Sequence, residues 1–133
     1  MTYGTSVTVD RPQSAVVEKV RAALKEQGFG VLTEIDVPAT LREKLGEETE
    51  PYVILGACNP LLAHRALSAD PSIGLLLPCN VVVRAAEGRT VVEALDPNVM
   101  VEVTGDATLS LIAAEASVRL NAALEAVASS AAS

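Results

Sequence analysis

A continuous apolar run between two prolines constrains the fold more than any other part of the sequence. Residues 52–58 read YVILGAC, with Pro51 before them and Pro60 shortly after. An uninterrupted apolar run of this length favours a β-strand that is buried on both faces. Alternation along such a strand would put Val53, Leu55 and Ala57 on one side, and Ile54, Gly56 and Cys58 on the other. We interpret the rest of the chain as a structural framework for residues 51–83.

That stretch also holds both cysteines and the only histidine of the chain. Two nearly mirrored tripeptides stand out, Cys58-Asn59-Pro60 and Pro78-Cys79-Asn80. Cys58 would end a strand at a helix N-terminus, where the helix dipole and free N–H groups favour a thiolate. If the strands that carry the two cysteines are neighbours, their sulfurs could form a reversible disulfide, a persulfide carrier or a pair of metal ligands.

Each of these residues also has a purely structural interpretation. A free cysteine is often a small buried hydrophobe. Asn59 is a natural N-cap for a helix that begins at Pro60, and Asn80 can hydrogen-bond a turn. The functional alternative is that the two asparagine amides line a small polar pocket between the strand ends. Both interpretations remain open from the sequence.

His64 is a weak third candidate, six positions after Cys58. A Cys-His-Cys set would be an incomplete zinc site, because structural zinc normally takes four protein ligands, so no metal is predicted. A nucleophilic thiol would need a nearby base, and Glu34, Asp36, His64 and Asp96 are the candidates. No local spacing unites any of them with a cysteine, and the sequence does not identify a cofactor.

Hydrophobic periodicity predicts a single α+β domain over residues 1–133, a mainly antiparallel sheet packed with helices in the order β-α-β-α-β-α-β-β-α. The tail 129–133 is expected to fray. In the second strand, Val31, Thr33, Ile35 and Val37 are predicted to share one face, opposite Glu34 and Asp36. A helical turn is expected at 98–104, and a long helix after Asp106. Strands are predicted at 2–9, 30–37, 52–58, 78–87 and 89–96, and the other helices at 12–27, 38–45 and 60–69.

Composition excludes some classes of partner. A net charge of −7 and an aromatic content of 2% argue against nucleic-acid binding, which needs clustered basic residues or stacking platforms. No apolar run approaches the ~20 residues that span a bilayer, and the start MTYGTSVTVDRP lacks a secretory signal, so a reducing cytoplasm is expected. Half of the residues are hydrophobic, and mean hydropathy is +0.35. We expect this excess to serve both a core and a homodimer interface.

Several blocks of the sequence together carry a family resemblance. They are Gly28-Phe29-Gly30-Val31, Glu34-Ile35-Asp36, residues 52–60, Leu62-Ala63, Ala66-Leu67, residues 74–81 and Asp96-Pro97. In these blocks the chain resembles the domain of unknown function 302 family of small bacterial and archaeal proteins. The resemblance implies a compact α+β fold with an antiparallel sheet, commonly seen as a homodimer, and it implies no agreed activity.

Three functions are compatible with the sequence. The first is a module that binds a small ligand or cofactor in a pocket lined by Cys58, Asn59, Cys79 and Asn80, with His64 as a weak addition. The second is a thiol-based redox or sulfur-transfer enzyme that uses Cys58 and Cys79. The third is a structural or interaction protein whose cysteines only pack.

Overall fold

The apolar strand lies inside a five-stranded sheet in the computed structural model, which describes residues 2–131. Every pair of neighbouring strands is antiparallel, as predicted. The strands are β1 (Gly4–Val9), β2 (Gly30–Asp36), β3 (Tyr52–Cys58), β4 (Cys79–Ala86) and β5 (Arg89–Leu95), in the spatial order β1-β5-β4-β3-β2. The prediction of an α+β fold with an antiparallel sheet is therefore confirmed.

The helices follow the predicted order closely. They are α1 (Gln13–Glu26), α2 (Val37–Leu45), α3 (Pro60–Ala69), α4 (Asn98–Thr104) and α5 (Ser110–Ala131). Two 3₁₀ segments accompany them: Pro71–Leu76 lies between α3 and β4, and Ala107–Leu109 lies between α4 and α5. The expected helical turn at 98–104 is α4. Helix α5 continues to Ala131, and the last two residues of the expected frayed tail lie outside the described residues.

One face of the sheet carries the main hydrophobic core. Leu55, Val81, Val83 and Val92 project from adjacent strands and are fully buried beneath α1 and α5. A second cluster forms beyond the end of β3 and β4, where α3, α4 and the start of α5 meet. We call the helix-covered side the inner face and the other side the outer face. No described outer-face residue belongs to either core cluster.

The prediction that β3 is buried on both faces is wrong within a single chain. Leu55 and Ala57 on the inner face are buried, whereas Ile54 and Cys58 are only partly buried. The physical reason is the layer arrangement, because α1 and α5 both pack on the inner face.

A β-bulge in β2 overturns the predicted alternation there. The register shifts between Val31 and Thr33, so Val31 pairs with Ala57 on the inner face while Thr33 pairs with Gly56 on the outer face. Leu32 occupies the extra position and is 68% exposed. One inserted residue moves all later side chains to the opposite side of the sheet.

Among the helices of residues 2–131, none is both long enough and apolar enough to cross a membrane.

Candidate functional site

The first cysteine corner is built by the transition from β3 to α3. Cys58 is the last residue of the strand, and Pro60 is the first of the helix, where a missing N–H has no cost. Asn59 caps the helix, because its Oδ1 accepts a hydrogen bond from the backbone N–H of Leu62 at 3.2 Å. This bond also fixes the orientation of the amide.

The second corner lies beside the first because of the strand register. Cys79 opens β4 after the cis peptide bond Leu77–Pro78, and it pairs directly with Ala57. Cys58 follows Ala57 in β3, so it is one residue away from the position directly opposite Cys79. The structure thus brings the two cysteine corners together at one end of the sheet.

A small cavity of about 30 Å³ lies between the corners and the helices. Its wall comes from both hydrophobic clusters, with Phe29, Ala57 and Cys79 on the sheet side, and α3, α4 and α5 on the other. It is thus a gap at the junction of two cores that do not fully meet. The lining residues are Phe29, Ala57, Cys58, Asn59, Leu62, Ala63, Ala66, Leu77, Pro78, Cys79, Met100, Ile112 and Ala116.

The cavity is apolar and holds Cys79 as a neutral thiol. Burial, and to a smaller extent repulsion from Cys58, raises the pKa of Cys79 to about 11. A thiol with this pKa is protonated at neutral pH and is a poor nucleophile. Both cysteines are free. The electrostatics of Cys79 therefore favour a packing or lining role over thiolate chemistry.

The other candidate residues lie elsewhere. Asn80 follows Cys79 in the same strand, so its side chain is on the outer face, where it lines a separate shallow depression with Tyr3, Tyr52 and Glu93. His64 is on the exposed surface of α3 and does not line the cavity. The predicted pocket of two cysteines and two asparagines is thus divided between the two faces of the sheet.

The candidate bases are engaged in local structure. Glu34 pairs with Arg21 at 2.6 Å, Asp36 caps α2 by accepting from the N–H of Ala39, and Asp96 accepts from Asn98. Within the described part of the chain, no three His, Cys, Asp or Glu side chains are grouped so that they could hold a metal ion.

Four cavity residues are distant in sequence from the cysteine corners and were not predicted. Phe29 lies before β2, Met100 is in α4, and Ile112 and Ala116 are in α5. Their apolar character and helical spacing are typical of ordinary core residues, so no local signal sets them apart. The packing of α4 and α5 against α3 brings Met100, Ile112 and Ala116 to the site, whereas Phe29 reaches it as part of the main core.

The fold and site together define a class of protein: a small α+β domain with its main core on one sheet face and an apolar cavity lined by Cys58, Asn59 and Cys79. The family model "Domain of unknown function DUF302" matches residues 5–127. The chain belongs to this family. The crystal structure of an uncharacterized conserved DUF302 protein from Bacillus stearothermophilus superposes with a TM-score of 0.88 at 34% identity, covering 95% of this chain and 98% of that one. A search of curated proteins found no match.

Proposed function

We propose that the protein binds a small, largely apolar ligand in the cavity between the cysteine corners. The supporting observation is that an apolar gap lies at the junction of two otherwise well-packed cores, bounded by Cys58, Asn59 and Cys79. Protein interiors are close-packed, and gaps of this kind are few in a domain. Ligand sites are typically apolar concavities with a few polar groups at the edge.

The size of the cavity restricts the ligand. Its volume of about 30 Å³ compares with roughly 150 Å³ for a cavity that accepts benzene. It therefore has room for only a slender group of one or two carbon atoms. The partly exposed residues Cys58, Asn59, Ala63, Leu77 and Pro78 form the rim. The ligand is expected to insert a narrow apolar end and to leave the remainder on this rim.

Titration with hexan-1-ol, followed by methyl NMR, tests this proposal. We expect saturable shifts at the methyl groups of Ala57, Ala66, Ala116 and Met100, all of which line the cavity. Ala66→Val fills part of the gap and should abolish saturation. Ala69→Val places the same substitution on the exposed surface of the same helix and should leave binding unchanged. Shifts that rise linearly with alcohol, and equally in both variants, would refute a specific site.

We also propose that the chain forms a homodimer through the outer face of its sheet. Ile35, Ile54 and Val82 are direct neighbours across three strands of this face. Beside them, Arg84 and Glu93 form a partly buried ion pair at 2.7 Å, which leaves no net charge to repel a second copy. Burial of the outer face against a second copy would account for part of the high hydrophobic content of the chain.

The dimer is tested by measuring mass in solution. Sedimentation at micromolar concentration should give twice the chain mass of 13.8 kDa. Ile54→Glu should shift the protein to a monomer, because the new carboxylate would be desolvated at the interface. Leu111→Glu is the matched control, since Leu111 is 80% exposed on α5. A monomeric wild type, or dissociation by both substitutions, would contradict the proposed interface.

A further inference from the structure

Two nitrogen donors converge at the edge of the cavity where α1 ends. A Cβ atom added to Gly28 would lie 3.1 Å from Nδ2 of Asn59 and 3.7 Å from NH1 of Arg119. Both nitrogens therefore approach the same point from α3 and α5. Asn59 also lines the cavity, so its amide connects this donor pair to the rim, whereas Arg119 lies behind it and is not a lining residue.

The helix cap determines which side of the Asn59 amide faces this point. Its Oδ1 is held by the N–H of Leu62 at the start of α3. The NH₂ group must then project away from that N–H, and it points toward Gly28. An amide NH₂ has two N–H donors, and within residues 2–131 none of the hydrogen bonds is donated by Nδ2 of Asn59.

Arg119 supplies a positive charge beside that amide. Its NH1 donates to the carbonyl oxygen of Gln27 at 3.2 Å, which holds the guanidinium against the end of α1. A guanidinium has five N–H donors, so this single bond leaves others for a ligand. The nearest acid on its helix, Glu115, is one turn earlier and lies 3.7 Å from Arg65. A cation thus lies next to the free NH₂ group of a rim amide, in a chain whose net charge is −7.

We propose that the ligand is an amphipathic anion, a carboxylate or similar acidic group on a short unbranched apolar chain. The chain end enters the cavity between Cys58 and Cys79, and the anionic group accepts hydrogen bonds from Asn59 and Arg119 at the rim. This inference rests on the proposed ligand-binding function and adds the chemical class of the ligand. Charge-assisted hydrogen bonds from an arginine and an amide recognise a carboxylate.

The test compares three probes that share one apolar chain: hexanoate, hexan-1-ol and hexylammonium, titrated at neutral pH and low salt by methyl NMR. Hexanoate should bind about tenfold more tightly than hexan-1-ol, which corresponds to ~1.4 kcal/mol. Hexylammonium should bind most weakly because it meets Arg119. Acetate, which carries the charge with almost no chain, should bind more weakly than hexanoate.

Arg119→Gln separates the anion site from the apolar cavity. Glutamine retains a donor for the carbonyl of Gln27 but removes the charge. The affinity for hexanoate should therefore fall to within about twofold of the affinity for hexan-1-ol, while the affinity for hexan-1-ol stays unchanged. Arg42→Gln removes an equal charge from α2, where Arg42 pairs with Glu48, and should retain the preference. Equal binding of hexanoate and hexan-1-ol to the wild type, or a preference that survives Arg119→Gln, would overturn the anion proposal and leave the cavity proposal standing. If none of the probes binds, both proposals are wrong.

Discussion

Gly56→Ala is expected to lower the free energy of unfolding by about 2–3 kcal/mol, within the range for overpacking a well-packed site. Gly56 lies on the outer face of β3, where Thr33 is its partner in β2. A Cβ atom there would overlap Oγ1 of Thr33 and lie 2.8 Å from Cγ of Pro78. Neither neighbour yields easily, because threonine is stiff at χ1 and the proline ring is fixed. The close approach therefore requires glycine at this position.

Chemical denaturation of the wild type and the variant measures this effect, and thermal unfolding should show a fall in Tm of roughly 10 °C. Gly74→Ala is the matched control, since a Cβ there would lie 4.0 Å from Leu67, an ordinary contact. Adding Thr33→Ala to Gly56→Ala removes the overlapping oxygen and should restore part of the stability. Equal losses for Gly56→Ala and Gly74→Ala, or no recovery in the double variant, would show that the contact is not the cause.

The limits of β3 and α3 could be predicted from sequence because their signals are local. Pro51 and Pro60 bound the strand, and the Asn59 cap with Pro60 at the first helical position marks the helix start. The observed strand and helix span the predicted residues, 52–58 and 60–69. These prolines and the helix cap act on neighbouring residues, so their effect can be predicted without knowledge of any distant contact.

The faces of the strands were harder to predict because they depend on long-range pairing. The bulge at Leu32 changes the side of Thr33 and Ile35, and it arises from the register between β2 and β3. The incomplete burial of Ile54 likewise follows from the placement of α1 and α5 on one face. An apolar run indicates a strand, but it does not show whether a helix or another chain covers its second face.

The candidate site was predictable only in part for the same reason. The mirrored tripeptides predict a pocket that includes Cys58, Asn59 and Cys79, and the structure places all three around one cavity. Asn80 could have been excluded as a partner of Cys79, since successive strand residues point to opposite faces. The contribution of Arg119 arises from the packing of α5 beside the end of α1, a contact between residues 92 positions apart in the chain.

The protein is expected to lose about 3 kcal/mol of stability between pH 9 and pH 11 through the ionisation of Cys79. Its pKa rises from an ordinary value of 9.0 to about 11 in the folded chain, chiefly because burial disfavours the thiolate and secondly because of Cys58. Below pH 9 the thiol is neutral in both states, and its contribution is fully present. Above pH 9 the unfolded chain releases the proton first, so unfolding becomes easier until the folded thiol ionises near pH 11. A shift of one pKa unit corresponds to 1.36 kcal/mol.

Denaturant unfolding at a series of pH values in a reducing buffer, for the wild type and Cys79→Ala, isolates this effect. The two proteins share every other side chain, so the contributions of other groups cancel in the difference. Cys79→Ala should be less stable than the wild type at neutral pH, because the lost sulfur enlarges the cavity. Its free energy of unfolding should, however, fall less steeply as the pH rises. Cys58→Ala should keep most of the decline, since burial of Cys79 is the larger cause of the raised pKa. Parallel pH profiles for the wild type and Cys79→Ala would mean that Cys79 ionises equally in both states, and the cavity would then be far wetter than its apolar lining implies.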